Sequence, residues 1–128
     1  MNFTGPGKAA VIQGSSDPAF RGNATRYNPE EVLVGALSAC HMLWVLHLAA
    51  VAGIVIMEYK DTATGTMTEH ADGSGEFTSV TLHPVVTVTD LSRKNDALAL
   101  HDRAHEMCFI ARSVRFPVHH EAEVVAVE

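Results

Sequence analysis

The feature that most constrains this chain is its longest apolar segment, which begins with a clear helical start. Asn28 can cap, Pro29 fits the first helical position because its missing N–H has no partner there, and Glu31 stands three residues after Asn28 as in a capping box. Glu30 and Glu31 put negative charge at the positive end of the helix dipole. Almost no breaker follows until Gly53, a C-terminal stop signal, so one helix is expected over Pro29–Ala52, roughly 36 Å long at 1.5 Å per residue. Val32, Leu33, Ala36, Leu37, Cys40, Leu43, Trp44 and His47 recur at helical spacing, while Val34, Leu46, Leu48 and Val51 fall on the opposite side. A helix apolar nearly all round must be buried on more than one side, which a chain of 128 residues can hardly manage alone. A partner subunit is expected.

Beyond Gly53 the period changes. Ile54 to Lys60 and Thr62 to Glu69 read as one long or bent strand, and Ala71-Asp72-Gly73-Ser74-Gly75 as a hairpin turn. The run from Glu76 to Val88 is rich in β-branched residues and is expected to pair back antiparallel, with Pro84 marking an edge or bulge. A second helix follows, capped by Asn95 or Asp96 and carrying Ala97, Leu98, Leu100, His101, Ala104, His105 and Cys108, with a further turn or two before Phe116-Pro117. Val118 to Val127 reads as a final strand, Lys8 to Gln13 as a first one, and Gly14 to Tyr27 as a loop. The expected organisation is a single α+β domain over residues 1–128.

Charge narrows the function. A net charge of −6, from fifteen acidic against nine basic residues with no basic run, opposes binding to a phosphate backbone. Nucleic acid is not an expected partner, nor is a membrane, since no eighteen apolar residues run uninterrupted. The N-terminus lacks the charged-then-apolar pattern of a secretory signal, so a cytosolic location is expected, where an idle disulfide would usually stay reduced.

Only two cysteines are present, Cys40 and Cys108, each within a helical pattern. Such thiols can be inert core, a redox pair or metal ligands. As a redox pair, one thiolate would attack an O–O bond and become a sulfenic acid, which the second thiol converts to a disulfide. A mid-helix cysteine lies beyond the reach of the dipole, so a cation or hydrogen-bond donor would have to lower its pKa.

The run Asn28-Pro29-Glu30-Glu31-Val32-Leu33-Val34-Gly35-Ala36-Leu37-Ser38-Ala39-Cys40, with Ala104-His105-Glu106-Met107-Cys108-Phe109-Ile110-Ala111, resembles the OsmC/Ohr family of thiol-dependent peroxidases. Gly14-Ser15-Ser16 and Cys40-His41-Met42-Leu43-Trp44 are similar to its OsmC-like branch. The resemblance runs from about Gly14 to Val118. It implies an α+β intertwined homodimer, a long central helix plus a second helix packed on antiparallel sheets. It also implies reduction of organic hydroperoxides, with Cys40 as the attacking thiol, Cys108 resolving, no cofactor or metal, and a dithiol reductant. In the family an arginine activates the attacking thiol and is held by the glutamate matching Glu30. That arginine belongs to an N-terminal segment that this chain is expected to lack, and Arg21, Arg26, Arg112, His41 and His47 are substitutes by type only. Glu30 precedes Cys40 by ten residues, about 15 Å along one helix, so Glu30 would act through a cation or in the partner's site.

Other readings stay open. His101, His105 and Cys108 share a helical face and His119-His120-Glu121 follows, a pattern compatible with zinc. A dimeric module that keeps the fold without the reaction is the other. More blandly, Glu30 is a first-turn charge, His41 and His47 are core or interface residues, and Trp44 is packing.

Overall fold

A computed structural model describes residues 1–127. The chain forms two compact units, Met1–Gly35 and the remainder from Ala36 onward, with the boundary inside the long helix.

In the first unit, β1 (Asn2–Phe3) pairs antiparallel with β2 (Ile12–Gln13), and Gly14 bridges to Tyr27. The strand expected over Lys8 to Gln13 is thus confined to its last two residues. A 3₁₀ turn over Pro18–Phe20 is capped by Asp17, whose Oδ1 accepts from the Ala19 amide at 2.8 Å. Gly22 packs so tightly on the Ser16 carbonyl that a Cβ would lie 1.5 Å from it, which requires glycine. The unit ends in the first turns of α1 (Pro29–Ala52). There the capping box forms as read: the Glu31 amide donates to Asn28 Oδ1 at 2.8 Å, and the Asn28 amide donates to Glu31 Oε1 at 3.0 Å.

In the second unit α1 runs on to Ala52 and stops at Gly53, which takes φ of 71°. Six strands and two helices follow: β3 (Ile56–Asp61), β4 (Thr64–Glu69), β5 (Gly75–Leu82), β6 (Pro84–Val88), α2 (Lys94–Met107), α3 (Phe109–Ser113), β7 (Val118–His120) and β8 (Glu123–Ala126). Two three-stranded sheets result, ordered β3-β6-β8 and β4-β5-β7. Both are mixed rather than antiparallel: β3–β6 and β4–β5 run antiparallel, whereas β8 and β7 add in parallel.

The expected single strands are each cut in two at one level. The bent strand breaks at Thr62-Ala63, the return strand at His83, and the final strand at Glu121-Ala122. At that level Asp61 replaces the missing ladder partner, accepting the His83 amide on Oδ1 at 2.7 Å and the Ser38 hydroxyl on Oδ2. Pro84 therefore lies on a central strand rather than an edge, and its missing N–H costs nothing because it falls at the break. Burial alternates unbroken across the kink, with Val80, Leu82, Pro84, Val86 and Val88 all inward.

The core gathers Ala49 of α1, Ile54, Val86, Val88, Ala97 of α2 and Val124 of β8. α2 is not capped by Asn95 or Asp96. Asp90 instead accepts the Ser92 amide at 2.9 Å and starts a 3₁₀ turn that passes directly into the helix. From α1 only Leu37, His41, Val45 and Ala49 are buried, one stripe at a spacing of four. That stripe differs from both apolar sets expected, and it includes a histidine. Leu43, Leu46 and Val51 are exposed. By length and composition alone α1 could cross a membrane.

Candidate functional site: a thiol pair and a histidine cluster

Cys40 and Cys108, both free, come together although 68 positions separate them in sequence. Cys40 is partly exposed on α1, whereas Cys108 is 1% exposed. Burial pushes the Cys108 thiol up in pKa, and the adjacent Cys40 thiol adds to the shift. The amides of Ala111 and Ile110 oppose it.

Those amides explain where Cys108 sits. It is not inside a helix as its pattern suggested but in the break between α2 and α3, with extended backbone at φ −70° and ψ 113°. Its Sγ accepts the Ala111 amide at 3.5 Å and so caps α3. A residue in the middle of a helix could not do this, because the amide three positions on would already be bonded within the helix.

Glu30 belongs to the first unit, partly exposed in the first turn of α1, where its carboxylate favours the helix dipole. Of the substitutes for the arginine, His41 is ruled out as a cation. It is 1% exposed, and burial, reinforced by His101, His120 and His105, pushes its pKa down to about 3. Arg112 donates to the Glu106 carbonyl at 3.4 Å. Beside Cys108, Arg103, Glu106, Met107, Phe109 and Arg112 line an open pocket of about 470 Å³. Phe109 is 70% exposed at its rim.

What sequence reasoning missed is that His41 joins His101, His105 and His120 in one histidine cluster. His41 Nε2 and His101 Nδ1 lie 3.0 Å apart, both side chains buried. The ring of His120 sits 5.5 Å from that of His41 and 5.3 Å from that of His105, and His120 Nε2 reaches Asp102 Oδ1 at 2.9 Å. The Tyr59 ring stacks on His101 at 6.4 Å. Burial, with His120, holds the His101 pKa down to about 4 against the pull of Asp102 and Asp61. His41 had a detectable signal, since it falls in register with Leu37, Val45 and Ala49; nothing in the sequence pairs it with a residue 60 positions away.

The zinc trio does not assemble. His101 turns to His41 and Cys108 turns to α3, and among the described residues no three ligand-type side chains are arranged to hold a metal ion.

Comparison with known proteins decides the family. The family model described as OsmC-like protein matches residues 22–123. The chain belongs to the OsmC-like family. A solved structure of an OsmC-like protein of unknown function from Vibrio cholerae shares 34% identity at a TM-score of 0.80, over 88% of this chain and 77% of that one. A structure from Legionella pneumophila, described as an organic hydroperoxide resistance protein OsmC, shares 23% identity at a TM-score of 0.68, over 91% and 82%. An organic hydroperoxide resistance protein from Elizabethkingia anophelis shares 20% identity at a TM-score of 0.68, over 93% and 83%. The last two likenesses are of fold. No curated protein matches the chain. The mixed α+β architecture, a long helix and a second helix with sheets, is that of the OsmC-like structures.

Proposed function

We propose that this OsmC-like chain is a thiol-dependent peroxidase that reduces organic hydroperoxides. The observation that carries the reading is the pairing of a partly exposed thiol, Cys40, with a buried one, Cys108, in a protein of this family. Their unequal exposure supports the assignment of roles. Peroxide reaches Cys40 first, while Cys108 is kept protonated by burial and does not compete for it.

The Cys40 thiolate attacks the O–O bond, taking one oxygen to become sulfenic acid as the alkoxide leaves and is protonated to alcohol. Cys108 then displaces water from that sulfur, and the Cys40–Cys108 disulfide forms. A dithiol reductant restores both thiols and is itself oxidised. No cofactor or metal is needed. Glu30 is given a supporting part in this reading, acting through a cation or in the partner's site.

The working unit in this reading is a homodimer. Leu43, Leu46 and Val51 expose apolar surface on a helix already buried along its other stripe, and a second copy would cover it. The proposed location is the cytoplasm, where two free thiols stay reduced until used.

The test is mass spectrometry of the reduced protein after one equivalent of cumene hydroperoxide. The expected product is an intramolecular Cys40–Cys108 link that C40S abolishes. Absence of any oxidised Cys40 would end the proposal and favour a dimeric module without the reaction.

A further inference from the structure

The thiols and the histidines are carried by the same two elements. Cys40 and His41 are consecutive on α1, while His101 lies on α2 and Cys108 directly follows that helix. Cys40 meets Cys108, and His41 meets His101 at 3.0 Å. Consecutive helical residues point about 100° apart, and seven residues of α2 span about 10 Å, so α1 is held against α2 at two separated points from two directions. The Cys40–Cys108 contact does not by itself fix the roll of α1; the His41–His101 bond, beside the Ser38–Asp61 bond and the buried stripe of α1, is the restraint next to Cys40. A disulfide needs Cβ atoms about 3.5–4.5 Å apart, and a roll of about 20° moves a Cβ by about 1 Å, the full width of that window.

We propose that His41 and His101 are positioning residues, whose buried hydrogen bond fixes the approach of Cys40 to Cys108 and so sets how readily the two thiols link. An apolar pair would fill the same space but has no preferred distance or direction, whereas an N–H···N bond has both. Tyr59 and His120, stacked and tilted against the pair, prevent either ring from swinging away. The proposal rests on the two thiols forming a disulfide, not on peroxide being the oxidant.

The test is the equilibrium of the purified full chain with glutathione, in which one glutathione disulfide oxidises the two thiols and leaves two reduced glutathiones. It is read by alkylation and mass spectrometry. Two double variants separate bonding from filling. H41L/H101L keeps the volume and loses the hydrogen bond. H41Q/H101N keeps polar atoms at the Nε2 and Nδ1 positions. We expect the equilibrium constant to fall about tenfold or more in H41L/H101L and to stay within about threefold of wild type in H41Q/H101N. An unchanged constant in H41L/H101L, or an equal fall in both, overturns the proposal. Should H41L/H101L not fold, H41Q/H101L against H41Q/H101N makes the same comparison. A wild type that links its thiols with glutathione but not with cumene hydroperoxide sinks the peroxidase reading and leaves this one standing. A wild type that links with neither oxidant sinks both.

Discussion

The sulfur of Cys108 accepts a hydrogen bond from the Ala111 amide at 3.5 Å, so one atom both ends the thiol pair and starts α3. The two duties separate by mutation. Serine is a good N-cap and alanine is not, so C108S is expected to be more stable than C108A by about 0.5–2 kcal/mol. Both lose the disulfide, and after one equivalent of cumene hydroperoxide both accumulate Cys40 sulfenic acid that dimedone traps. Equal melting of the two variants would show that the cap has no energetic role.

The histidine cluster makes stability depend on acid. His41 and His101 have folded pKa values lowered to about 3 and about 4, so between pH 6.5 and about 4 the unfolded chain takes up protons that the folded chain refuses. Stability is therefore full above pH 6.5 and falls as pH falls through that window, by an amount on the order of a few kcal/mol. The groups facing the pair act in both directions: His105 and His120 oppose protonation, and Asp61 and Asp102 favour it. Urea midpoints at pH 7.5, 6, 5 and 4 measure the slope, which is expected to be shallower in H41L/H101L. Equal slopes would contradict the neutral burial of the pair.

The capping box at Asn28 is complete in both directions. N28A removes the acceptor for the Glu31 amide and should cost about 1 kcal/mol in urea denaturation. E31A removes the reciprocal bond alone and should cost less. A larger loss in E31A would reverse the order of the two bonds.

Asp61 serves two elements, with the Ser38 hydroxyl on one oxygen and the His83 amide on the other. D61A leaves the His83 amide without its partner at the sheet break and should cost about 1–3 kcal/mol. The specific readout is hydrogen exchange: the His83 amide should lose protection by more than its neighbours in β5 and β6. Uniform loss along both strands would mean that the break is held by something else.

The exposed apolar stripe of α1 is expected to be the seam between two copies. Leu43 is 62% exposed, so L43E costs the isolated chain little, but it would bury a charge in a dimer. Light scattering after size exclusion should show a dimer in the wild type and a monomer in L43E. A monomeric wild type would refute the seam.

Local signals in the sequence proved legible where the physics is local. The Asn28 to Glu31 cap, the limits of α1 and the Gly53 stop each depend on residues within one turn, and all three are present in the structure. The sheet breaks were legible only in part, since Pro84 and the bend after Lys60 fall beside two of them. Burial alternates without a slip from Val80 to Val88, so the periodicity carries no trace of the kink at His83. Cys108 looked helical because Phe109 to Ser113 is helical, and no residue type announces the one extended position between α2 and α3. The parallel pairing of the C-terminal strands and the meeting of His41 with His101 depend on contacts across long stretches of chain, which spacing within one segment cannot encode. At the site, the family motif led to Cys40 and Cys108, while their unequal exposure and the histidines beside them came only from the fold.

Each three-stranded sheet receives its third strand from the stretch beyond α3, β7 over Val118–His120 and β8 over Glu123–Ala126, and Val124 of β8 completes the core. During synthesis neither three-stranded sheet can close, nor can α1 and α2 settle on a finished surface, until β7 and β8 have left the ribosome. A chain cut before Val118 would leave two strand edges bare beside an unsealed greasy interior, so such products should be fed to proteases or clump rather than persist.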